Sequence, residues 1–197
     1  RVRPVIFVCD LPMSRRLELI ATAAFGLEAV VSRELRELGY EEQRVEDGRV
    51  TFIGDEMAIC RCNLWLRSAD RVLVKVGGFP ARDFGELFPQ IEALPWHEWL
   101  PVDAKFPVSG KSVRSQLHHE PTIQSVTKKA IVESLKRSYQ RHWFQETGNE
   151  YPIEISILKD EALLSIDTSG DGLHKRGYRA VSGAAPLRET TAAALVL

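Results

Sequence analysis

The stretch LELIATAAFGLEAVVSRELRELGY, Leu17 to Tyr40, fixes the first two elements of the chain. Leu17 to Ala23 reads as a strand, and from Gly26 onward the apolar residues return at three-and-four spacing, the mark of an amphipathic helix. Gly39 supplies the stop, since glycine tolerates the left-handed conformation that closes a helix. After it, short strands flank Asp47-Gly48, a strong two-residue hairpin signal. A helix from Glu56 to Leu66 follows, with Ile59, Leu64 and Leu66 among its apolar residues. Arg71 to Val76 then alternates as another strand.

Strand, helix, strand, strand, helix, strand is the order of the split βαβ, ferredoxin-like arrangement, here expected over residues 16–80. A second α/β unit begins at ARDFGELFPQIEALPWHEWLP, Ala81 to Pro101, expected to be a helix broken by Pro89 and Pro95. Trp96 and Trp99 in that stretch read as core anchors rather than stacking platforms. A strand carrying Lys105 comes next, then a long helix from Pro121 to Trp143, with proline suited to its first turn. YPIEISILKDEALLSIDTS, Tyr151 to Ser169, gives two strands around a Lys159-Asp160 turn. The fold class is therefore α+β throughout.

The 197 residues are 44% hydrophobic and 27% charged, the composition of an ordinary globular protein. No run of about eighteen apolar residues exists to cross a membrane, and no secretory signal opens the chain. Cys60 and Cys62 sit two apart in a helix, where side chains diverge, so neither a disulfide nor a metal site is expected of them. A reducing compartment, the cytoplasm, is the expected location. The chain begins at Arg1 and has a methionine at position 13, so residues 1–15 are expected to be a non-native or disordered leader. It stops inside ETTAAALVL, a helix former with no stop signal, as a piece of a longer protein would.

Net charge is only −1, but its distribution is uneven. Between Lys105 and His142 eight basic residues face two acidic ones, a surplus of six positive charges. The segment FPVSGKSVRSQ, Phe106 to Gln116, looks like the end of a phosphate loop, but Lys105 stands where that loop needs its first glycine. ATP binding is therefore a poor reading of Lys111. On the long helix, Ile123, Val126, Ala130, Ile131 and Leu135 mark the buried face, and Lys128, Lys129 and Lys136 are expected to project from the other side. With Lys105, Lys111 and Arg114 they would form one continuous cationic shelf for a ribose-phosphate chain. Ser109, Gly110 and Ser112 would let that backbone approach closely and hydrogen-bond to it. A solvated basic helix face is the competing reading of the charge. His118-His119 lack a third ligand at metal spacing, and no metal is expected.

Several stretches together resemble the THUMP-domain RNA methyltransferases, most closely the bacterial large-subunit rRNA guanine-N2 methyltransferases. They are ELIATAAFGLEAVVSRELRELGY, ICRCNLWLRSADRVLVKVGGF, ALPWHEWLP, KFPVSGKSVRSQL, and GLHKRGYR followed by APLRETTAAAL. The resemblance implies a ferredoxin-like domain, then a THUMP RNA-binding domain over 81–170, whose profile boundary could begin near residue 56. Residues 171–197 would be the linker and start of a Rossmann-like methyltransferase domain. It implies that His174, Lys175, Arg176 and Arg179 contact RNA, although by composition they are equally a charged linker. It implies S-adenosylmethionine (SAM) as cofactor, with Pro186, Leu187 and Thr190 as its neighbours; family members often have Leu where Thr191 stands. Structured RNA, above all large-subunit rRNA, is the implied partner, with no DNA and no membrane.

A SAM domain of this family needs a glycine-rich D-P-x-C-G-S-G turn and an N-P-P-Y motif, and these 197 residues contain neither. The chain by itself is accordingly expected to transfer no methyl group, and no catalytic residue is assigned within it. Two other readings stay open: a THUMP module of a tRNA-modifying enzyme, through thiouridine synthesis or guanine methylation, and a stand-alone RNA-binding adaptor.

Overall fold

The computed structural model describes residues 15–177 and 186–197. Nearly all of the expected leader, residues 1–14, and Arg179 lie outside them. The chain forms two compact units, one from residues up to Val74 together with Thr168–Leu197, the other from Lys75–Asp167.

In the first unit, β1 (Leu17–Thr22), α1 (Glu28–Glu37), β2 (Gln43–Glu46), β3 (Arg49–Gly54) and α2 (Glu56–Trp65) lead into β4 (Arg71–Pro80). The strands pair antiparallel in the order β2-β3-β1-β4, the sheet expected of the split βαβ pattern. Gly48, at φ +75°, makes the tight turn between β2 and β3. Gly39, at φ +93°, closes α1, and the N–H of Tyr40 returns to the carbonyl of Leu35 at 2.9 Å. Asp55 caps α2 by accepting from the N–H of Ala58 at 2.8 Å. Leu19, Val31, Leu35, Phe52, Ile59 and Val72 form the core of this unit. Leu66 is buried as expected of an apolar helix end, whereas Leu64 is 68% exposed.

The residues after Asp167 are held against α2 and β4. Thr168 donates its hydroxyl to the Val72 carbonyl at 2.7 Å and accepts from the Asn63 amide at 2.9 Å. The Ser169 hydroxyl donates to Asn63 Oδ1 at 2.8 Å. A last helix, α5 (Glu189–Val196), belongs to the same unit.

In the second unit β4 continues to Pro80, four residues past the expected end. Helix α3 (Phe84–Glu92) runs through Pro89 rather than breaking there. The proline lacks the N–H that would reach the Gly85 carbonyl, yet the Ala93 N–H still bonds the Pro89 carbonyl at 3.0 Å, and Leu87 and Ile91 are buried. Pro95 does end the helix, and a single 3-10 turn follows, Trp96–Glu98. Trp96 is fully buried and donates its indole N–H to the Ile91 carbonyl at 2.7 Å, as a core anchor should.

Strand β5 spans Val108–Val113, later than expected, because Lys105 makes only an isolated bridge to Glu150. Helix α4 (Glu120–Tyr139) ends at Gln140, whose φ of +52° turns the chain before Trp143. Strands β6 (Ile153–Leu158) and β7 (Glu161–Asp167) complete the order β4-β7-β6-β5, with β5 parallel and β7 antiparallel to β6. The buried face of α4 is Ile123, Thr127, Ala130, Ile131, Ser134 and Leu135. Thr127 takes the place expected of Val126.

Candidate nucleic-acid interface

Strand alternation decides what the β5 residues can do. Ser109, Lys111 and Val113 are exposed, while Gly110 is buried against α4. A Cβ on Gly110 would stand 3.1 Å from Gln124 Cγ and 3.3 Å from Ile155 Cγ2. Its smallness lets the helix approach the sheet, so the expected role for Gly110 in admitting an RNA backbone is corrected. Ser112 also turns inward, where its hydroxyl donates to the Leu117 carbonyl. It fastens the chain entering α4 and is not available to a phosphate.

The single continuous cationic shelf is overturned by the same alternation. Because Gly110 faces α4, Lys111 projects from the opposite side of the strand, whereas Lys129 and Lys136 lie on the side of α4 away from its buried face. Lys128 is on a flank, with its ammonium 2.9 Å from Glu146 and 5.0 Å from the Phe106 ring centroid. Its half-buried stem and cation–π contact make it a packing residue first. Lys136 pairs with Glu133 at 2.9 Å, a hydrogen bond that holds the Glu133 carboxyl below its ordinary pKa. Lys105 pairs with Glu150 at 2.9 Å.

Lys111 remains accessible. Its ammonium lies 3.5 Å from Glu154 and its side chain is 71% exposed. A pair so exposed is worth about 0–1 kcal/mol, little enough for a phosphate to displace the carboxylate. At the end of β5, Arg114 adopts φ +51° in an exposed turn. That turn is tied to the β6–β7 hairpin: the Gln116 N–H donates to Asp160 Oδ1 at 2.7 Å, and the Lys159 N–H to the Val113 carbonyl at 3.2 Å. Exposed Lys159 is thereby brought to the same end of the sheet as Arg114. Sequence reasoning treated Lys159 only as a turn residue; the parallel pairing of β5 with β6 was the missing signal.

The remaining candidates lie in the first unit. Arg176 donates to the carbonyls of Leu64 at 2.8 Å, Leu66 at 2.6 Å and Leu173 at 3.1 Å. It caps the C-terminal end of α2, where the helix dipole favours a cation, and its expected RNA contact is corrected to this structural role. Thr190 is buried and donates its hydroxyl to Asp70 at 2.8 Å, so it pins α5 rather than facing a cofactor. His174, exposed Lys175, Pro186 and Leu187 line one cleft of about 520 Å³ together with Arg188 and Glu189. Among the described residues that line it there is no glycine-rich turn, and they do not by themselves fit SAM.

Comparison with known proteins agrees with the two units. Residues 18–73 match the family model described as the RlmL ferredoxin-like domain, and residues 81–167 match the THUMP domain. The chain is 54% identical over 184 residues to a Bacillus subtilis protein named "Putative RNA methyltransferase YpsC", spanning 92% of this chain and 48% of the relative. It is 34% identical to the Syntrophotalea carbinolica "Ribosomal RNA large subunit methyltransferase K/L", spanning 26% of that protein. Among solved structures, a Listeria monocytogenes protein described as a "predicted N6-adenine-specific DNA methylase" superposes with a TM-score of 0.89 at 55% identity, over 92% of this chain and 48% of that one. SMU.472, described as "a putative methyltransferase complexed with SAH", superposes with a TM-score of 0.87 at 51% identity, over 93% and 49%. The chain thus spans about half the length of the Bacillus, Listeria and SMU.472 proteins and about a quarter of the K/L protein. Sheet order, the two matched regions and these likenesses lead to one assignment: this chain joins an RlmL-type ferredoxin-like domain to a THUMP domain.

Proposed function

We propose that this chain is the RNA-docking portion of a SAM-dependent methyltransferase that modifies guanine N2 of large-subunit rRNA in the cytoplasm. The observation that carries the reading is the THUMP domain at residues 81–167 in a chain whose relatives, named RNA methyltransferases, extend well beyond it. The methyl donor and the reacting base would be held by the portion absent from these residues, and this chain alone transfers no methyl group. Its own part is positioning. Exposed Lys111, Arg114 and Lys159 would neutralise phosphates, and Ser109, whose hydroxyl donates to the Ile153 carbonyl at 3.3 Å, would accept from a ribose 2′-hydroxyl. Lys129 and Lys136 would meet a different segment of a folded RNA, since they face another way. Such contacts read the shape of the A-form helix and its 2′-hydroxyls rather than base order.

Fluorescence anisotropy with a folded large-subunit rRNA fragment, a tRNA and duplex DNA, titrated between about 50 and 200 mM salt, tests this. The reading expects the rRNA fragment to bind tightest, with affinity falling steeply as salt rises. A Lys111→Glu, Arg114→Glu, Lys159→Glu triple variant should weaken binding at least tenfold and flatten the salt slope. Equal affinity for duplex DNA, or no effect of the triple variant, would overturn it.

A further inference from the structure

Helix α2 buries one face and exposes large apolar side chains on the other. Its inner face, with Ala58, Ile59 and Cys62, is buried in the first unit. Its outer face carries Met57, Leu64 and Trp65, exposed by 64%, 68% and 67%, with Cys60 exposed between them. Met57, Cys60 and Leu64 follow three-and-four spacing, so they form one stripe and not scattered contacts. Exposed Arg61 is the polar member of the same side, and an exposed tryptophan beside arginine, leucine and methionine is a strong anchor for an interface.

The chain itself indicates what covers the stripe. Arg176 holds the segment after β7 against the Leu64 and Leu66 carbonyls, at the very end of α2 that bears Trp65. Thr190 ties the start of α5 to Asp70, only a few residues beyond that end. Helix α5 also shows exposed apolar residues, Leu195 and Val196. Whatever follows α5 thus continues from a helix whose start is fastened five residues beyond Trp65, and the relatives are about twice this length.

We infer that the Met57–Leu64–Trp65 face of α2 is the seat on which the portion of the protein following Leu197 docks, so that the RNA-binding and catalytic halves are locked together through α2. This rests on the proposed function, because it requires that a catalytic half follow.

Cys60 is a reporter placed inside the stripe. Its alkylation by iodoacetamide is followed peptide by peptide by mass spectrometry, in this 197-residue chain and in the full-length protein, each across a range of protein concentrations. Docking predicts that Cys60 in the full-length protein is labelled at least tenfold more slowly than in the short chain, independently of concentration. A Leu64→Ser, Trp65→Ser variant of the full-length protein, checked for folding by circular dichroism, should recover fast labelling. Equal rates in the two proteins would overturn the inference while leaving the proposed function intact. Protection that appears in the short chain as its concentration rises would assign the face to a second copy, and protection that appears only on adding RNA would assign it to nucleic acid; either overturns the docking seat. A gene whose product carries no methyltransferase half would remove the proposed function and this inference together.

Discussion

Arg176 carries one guanidinium across three backbone carbonyls, two of them at the end of α2. Hydrogen bonds from a charged donor are stronger than neutral ones, and the carbonyls would otherwise depend on water. Arg176→Ala should lower stability by about 2 kcal/mol, read as a shift in urea midpoint at unchanged slope. Glu28 works in the opposite polarity. Its carboxylate accepts from the N–H of Gly48 at 2.8 Å and of Gly26 at 2.9 Å. These bonds, that to Gly48 above all, lower its pKa in the folded protein. The stabilisation is therefore complete above the unfolded value of about 4.3 and is lost as pH falls through the lower folded value. Glu28→Gln should flatten the fall of stability in acid below about pH 4.5 and leave its pH dependence near neutrality unchanged, in urea melts across that range.

Between elements, the contact of β5 with α4 hangs on Gly110. A methyl group there meets Gln124 and Ile155 at 3.1 and 3.3 Å, closer than ordinary packing. Gly110→Ala should cost about 2 kcal/mol through overpacking, measured by thermal melting, with RNA affinity preserved in the fraction that folds. The element types were legible in sequence because the hairpin glycine, the helix stop and the two periodicities agree with one another in Leu17–Val76. The candidate site was less so. A count of charges between Lys105 and His142 finds the surplus but not its direction, and the parity that turns Gly110 inward sends Lys111 away from the helix lysines. Partners were hidden for a similar reason: Arg176 meets carbonyls 110 and 112 residues earlier in the chain, a distance no local pattern encodes. Pro89 misled because a proline lacking one hydrogen bond can still be carried by a helix whose Leu87 and Ile91 are buried.

At the scale of the whole molecule, the first unit is assembled from two stretches separated by the entire second unit. The Asn63 side chain shows the dependence most directly, since its amide and its carbonyl both engage residues beyond Asp167. A chain ending at Asp167 should keep the second unit's secondary structure but lose several degrees of melting temperature in the first, resolved by hydrogen exchange of α2. The order of synthesis gives this arrangement a further meaning. A ribosome releases Lys75–Asp167 before Thr168, Ser169 and Arg176 can reach their places. The inserted unit therefore has the earlier opportunity to close, while α2 waits for its fastening until about a hundred later residues have emerged.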